Sequence, residues 1–203
     1  MDCLAIGRDI TQIISPMVAW GAPEVSKAAG ASRDDATLNL AIFLGWTSFS
    51  AITMEMARSV IPEEVADQIN ETVTVGLVQV YGASHNLSRP LLQNRYEGYW
   101  EACKHSSNPG GPAFNMAKYF VACCRQGHRY VHYERLIPDP DDLAQLPDVV
   151  NPKVLRQLKE LKARGQHPTY PMAGTAILET AGLLGSQASA LHQGVESLIE
   201  QHA

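Results

Sequence analysis

The chain has 203 residues, 45% of them hydrophobic and 18% charged, with a formal net charge of −5. That supply of apolar surface excludes a disordered chain, and the length suits one core rather than two ordinary domains. A mildly acidic chain is a poor non-specific nucleic-acid binder, and so few charges to cover the outside favour a homo-oligomer that hides apolar surface.

Taken in order, residues 3–20 carry Leu4, Ile6, Ile10, Ile13, Ile14, Met17 and Val18 at helical spacing, with Pro16 expected to kink or end the helix. Gly21, Ala22 and Pro23 predict a break, followed by a short helix over 23–29. Asp2 stands where an export signal would carry positive charge, and Arg8 and Asp9 interrupt the first apolar run, so a cytoplasmic location is expected. The next helix, about 35–60, is the most apolar, with Asp34 or Asp35 as its cap and Pro62 beyond its end. Its uncharged stretch, 36–54, has the length of a membrane span. Thr37, Asn39, Thr47, Ser48, Ser50 and Thr53 within it favour a buried core helix and no membrane.

Pro62, Glu63 and Glu64 predict a helix start, with Val65, Ile69, Val73, Leu77 and Val80 on one face. The β-branched run from 72 to 80 competes as a strand. A turn is expected over 82–86, a helix from Ser88 to Cys103, a loop over 106–112 and a helix over 113–125. Residues 127–137 read as strand or continued helix, and 139–147 as an acidic loop. Asn151 and Pro152 open a helix that Gly165 stops. From about Met172 to the end, Ile177, Ala181, Leu184, Ala188, Leu191, Val195 and Leu198 alternate at spacings of four and three. Such a seam suits packing within the chain or between two copies. The expected fold is an all-α bundle of six or seven helices forming a single domain over 1–203, with the helices near 35–60 and 172–200 at its centre.

Reactive side chains concentrate in residues 86–135. This block holds seven of the sixteen Lys and Arg, three of the twenty-one Asp and Glu, eight of the fourteen aromatics and three of the four cysteines. Cations beside rings suit a small anionic ligand, with Arg95, Tyr96, Trp100, Arg129 and Tyr130 as candidate contacts. Cys124, His128 and His132, spaced four and four, are candidate ligands for a transition metal or haem if the helix continues through them. The cysteines at 3, 103, 123 and 124 form no CxxC pair, and without an export signal they read as reduced thiols. No Walker A, GxGxxG or HExxH pattern occurs. In the absence of a catalytic signature, the expected function is a helical interaction or assembly module. It is expected to act as a homodimer through the 172–200 helix, with ligand or metal binding by the 86–135 block as the alternative.

Overall fold

The computed structural model describes residues 1–104, 111–138, 140–143, 152–165, 169–170 and 174–202. Among these described residues eight α-helices follow in order: α1 (Cys3–Ala29), α2 (Arg33–Ala57), α3 (Glu63–His85), α4 (Arg89–Lys104), α5 (Gly111–Gln126), the single turn α6 (Pro140–Leu143), α7 (Pro152–Arg164) and α8 (Gly174–His202). The chain is an all-α bundle. The only strand pairing among the described residues is a two-residue parallel bridge, Ile137 to Thr169 and Pro138 to Tyr170.

α1 differs from the two helices that the sequence predicts over 3–29. It does not break at Gly21–Pro23 but continues for 27 residues through Pro16 and Pro23. A buried stripe carries it through: Ile6, Ile10, Ile14, Val18, Ala22, Val25 and Ala29 keep one face against the core. Both prolines lie on the opposite, exposed face. The carbonyls they leave without an amide partner, on Gln12 and Ala19, belong to exposed residues that water can reach. Tertiary burial of the stripe outweighs the local proline penalty.

Caps set the other boundaries. The N-cap of α2 is Ser32, not Asp34 or Asp35. Its Oγ accepts from the Asp35 amide at 3.0 Å and donates to Asp35 Oδ2 at 2.6 Å. The β-branched run over 72–80 is helical, because Val73 and Leu77 continue the buried face begun by Ala66 and Ile69. The helix runs through the turn expected over 82–86 and stops where Asn86 takes a left-handed φ of 51°. Gly111 and Pro112 are the first residues of α5 rather than the end of a loop. The rest of that loop, most of the acidic loop over 139–147, the Asn151 cap and Met172 lie outside the described residues.

α2 sits in the middle, against α1, α3, α4, α5 and α8. Fourteen of its residues are buried, which is why its sequence is apolar nearly all round. Among the described residues it is the one helix long and apolar enough to cross a membrane, and the greater part of its apolar stretch is buried by its neighbours. α8 packs along α1, α2 and α5. It buries one stripe, Ile177, Thr180, Leu184, Leu191, Val195 and Ile199, so most of its heptad-like seam lies inside the chain itself. Arg58, at the end of α2, ties the two helices by donating to Glu55 at 2.8 Å and to Glu196. α7 buries none of its described side chains and rests against α6, with Lys162 bonded to Asp141 at 2.6 Å.

Candidate functional site

Within the 86–135 block, the five candidate ligand contacts do not converge. Arg95 is fully buried and points inward. Its Nη2 donates to the carbonyls of Gly127 (2.8 Å) and Arg129 (2.9 Å), its Nε to Asn39 Oδ1 (3.2 Å) and its Nη1 to Asn94 Oδ1 (3.2 Å). All four partners are neutral oxygens. Tyr96 turns towards α2, its ring 6.3 Å from that of Phe49 and its hydroxyl over Gly45. Trp100 is 58% exposed, with Lys104 Nζ 5.8 Å from its ring. Arg129 and Tyr130 are exposed on the turn after α5, where Arg129 serves Arg95 through its carbonyl.

Arg95 therefore fastens the segment after α5 to α2 and α4. Asn94 joins it by accepting the Val131 amide at 2.9 Å. The Tyr119 hydroxyl lies between the carbonyls of Val131 (3.0 Å) and Asn94 (3.3 Å). The Tyr119 ring passes over Gly98, where a larger residue would collide with it. Burial lifts Tyr99 and Tyr119 well above the ordinary phenol range, and pushes Cys123 up to about 11 against the pull of Arg95. These groups stay protonated and neutral at pH 7, so the knot has the character of a polar core and not of a nucleophilic centre.

The proposed metal ligands are also separated. α5 ends at Gln126, and Gly127 takes a left-handed φ of 56° that turns the chain away from the helix axis. Cys124 remains buried with its thiol 3.9 Å from the Asp35 carbonyl. His128 is exposed with Nε2 2.7 Å from the His85 carbonyl, and His132 is exposed beyond buried Val131. No group of three or more metal-ligating side chains gathers among the described residues. Arg125, His128 and Arg129 do line a shallow depression of about 640 Å³, together with Asp35. The Asp35 carboxylate and the negative end of α5 both oppose an anion there.

A different surface has the shape of a site. Between α1 and α8 lies an open cavity of about 800 Å³, walled by Ile13, Pro16, Met17, Trp20, Leu183 and Leu198. Polar side chains edge it, Asp9, Gln12 and Glu24 from α1 and Gln187 from α8. Trp20 is 85% exposed, the most exposed of the large apolar side chains described. Gly21 leaves the space that the Gln187 amide occupies, and Gln187 Oε1 is buried with no hydrogen-bond partner among the described residues. Beyond Glu24 and Leu183 the groove continues into a second depression of about 430 Å³, lined by Lys27, Ala28 and Gly182 and by Leu178, which is 61% exposed. The sequence hides this surface because Pro16 reads as a kink or helix end and Gly21–Pro23 as a break before a new helix. A signal was present in Met17 and Trp20, apolar residues left over once the Ile6, Ile10, Ile14 stripe is assigned to the core.

Compared with family models, curated proteins and solved structures, the chain matches none.

Proposed function

We propose that the chain is a helical assembly module whose working surface is the groove between α1 and α8, and that it acts as a homodimer. One observation carries this reading: an indole left 85% exposed on the rim of an apolar cavity of about 800 Å³. An exposed tryptophan beside an apolar concavity has the composition of an interface core, where aromatic anchors fill pockets on the partner. Burying one such ring removes roughly 150–250 Å² from water, about 4–6 kcal/mol before the losses of association. The expected dimer contact through the 172–200 helix is narrowed to its groove-facing side, Leu183, Gln187 and Leu198, since Leu184 and Leu191 are buried within the chain. The four cysteines are free thiols, which supports a reducing compartment such as the cytoplasm.

The groove is a strip roughly two helix diameters wide, about 20 Å, and about 27 Å long over residues 9–27. That is on the order of 500 Å² per copy, at the small end of specific interfaces, so association in the micromolar range is expected. Sedimentation velocity from about 1 to 500 μM tests it. The weight-average mass of the wild-type chain should rise from 22.1 kDa towards the dimer value, and Trp20→Ser should hold it at the monomer. A wild-type mass that stays monomeric over the whole range overturns the homodimer.

A further inference from the structure

The solvent-facing side of α1 has a symmetry of its own. Asp9, Ile13, Pro16, Trp20, Pro23 and Lys27 are spaced four, three, four, three and four, forming a second heptad stripe beside the buried one. Pro16, Trp20, Pro23 and Lys27 are exposed, and Asp9 and Ile13 are half-buried. The stripe is symmetric about residue 18. Reversed end for end, it sets Trp20 against Pro16, Ile13 against Pro23, and Asp9 against Lys27. Apolar positions meet apolar ones in the middle, and opposite charges meet at both ends.

We infer that the groove is filled by α1 of a second copy lying antiparallel, about a two-fold axis through the level of Val18. This rests on the groove reading above and specifies its partner and register. A two-fold contact repeats every pairing twice, so the Asp9–Lys27 match counts at both ends of the helix pair. The parallel arrangement would put Asp9 on Asp9 and Lys27 on Lys27, and like charges directly opposed select against it. The prolines fit the same picture. Their rings are rigid and apolar and lose no side-chain freedom on burial, so they form a flat bed for the indole of the second copy. On α8, nothing lies within 4 Å of the Cβ position of Gly182, which lines the second depression beside Glu24 and Lys27, so that end of the groove is open to a side chain of the second copy.

Charge reversal tests the register. Lys27→Asp and Asp9→Lys are prepared separately in the full chain, circular dichroism checks that each is folded, and association is measured by sedimentation at about 50 mM salt. Alone, each variant opposes like charges at both ends, and its dimer dissociation constant should rise about tenfold. Mixed in equal amounts, the two variants place lysine opposite aspartate at both ends, and the mixed dimer should return to within about threefold of wild type. Failure of the mixture to recover, while Trp20→Ser still abolishes the dimer, overturns the antiparallel register and leaves the groove reading standing. A wild-type dimer indifferent to all three substitutions overturns both.

Discussion

The polar knot around Arg95 and the groove around Trp20 reverse what their compositions suggest. The knot draws on the block richest in cations, rings, thiols and imidazoles, yet its central guanidinium is wholly buried and bonded to four neutral oxygens. The groove is built from a plain helix with two prolines, and it leaves a tryptophan 85% exposed. The difference shows where polar chemistry goes in a helical bundle. When a chain leaves a helix and crosses back over the core, its amides and carbonyls need partners, and side chains from neighbouring helices supply them. Groups that look functional in sequence are then taken up in holding a turn. A binding surface is recognised by the reverse condition, apolar area that the fold leaves uncovered.

The contrast breaks most sharply at α8. If its seam is core, Leu191→Asp places a carboxylate where no water reaches, and the chain should lose more than about 4 kcal/mol of stability or fail to fold. Urea unfolding followed by circular dichroism reads this directly. A folded variant with altered mass would instead make the seam an interface. Next in size is the knot itself. Arg95→Ala strands the Gly127 and Arg129 carbonyls and two side-chain amides, and should cost about 3–5 kcal/mol. Arg95→Lys should recover only part of this, since one ammonium cannot span the fork. A loss below about 1 kcal/mol, with full retention of structure, would show that the turn is held by other contacts.

How much of this was legible follows from whether the signal was local. α2 was legible because apolar residues on every side leave only the centre of a bundle. The end of α7 was legible because Gly165 supplies a left-handed residue where the apolar stripe stops. The continuity of α1 was obscured by Pro16 and Pro23, although the stripe from Ile6 to Ala29 runs through both without a change of phase. The ion-site reading of Cys124, His128 and His132 required a helix past 126, and the Gly127 inside it already argued for a turn. The role of Arg95 was not legible at all. Three of its four partners lie 32, 34 and 56 residues away, and only the packing of α2, α4 and α5 reveals that those oxygens need a donor.

The pH dependence of stability sharpens the reading of the knot as core. Burial pushes the Cys123 thiol up to about 11, so the folded chain keeps a proton that an unfolded thiol releases near pH 8.5. A group raised in the folded state contributes fully below its unfolded pKa, and that contribution is lost as pH climbs through the folded value. Stability should therefore fall by about 3 kcal/mol between pH 8.5 and 11 from this thiol, at roughly 1.4 kcal/mol for each pH unit that separates the unfolded and folded values. Cys124, Tyr99 and Tyr119, raised for the same reason, add in the same direction. Urea midpoints across this range check the fall, and Cys123→Ala should shallow it. A flat profile would mean that water reaches the knot.

The smallest effect on folding is expected at the residue with the largest proposed role. Trp20→Ser removes a ring that touches little of its own chain, so the unfolding free energy measured at low micromolar concentration should change by less than about 0.5 kcal/mol. Association should respond far more, because the ring is buried only when two copies meet. Stability and assembly thus separate at Trp20 and coincide at Leu191, whose loss removes the fold that forms the groove. The same division predicts how stability depends on concentration. The wild-type chain should become harder to unfold as its concentration rises, since the dimer binds only the folded form, and Trp20→Ser should lose that dependence. Were Trp20→Ser instead to destabilise the isolated chain by 2 kcal/mol or more, the indole would be part of the core and the groove would have no free anchor to offer a second copy.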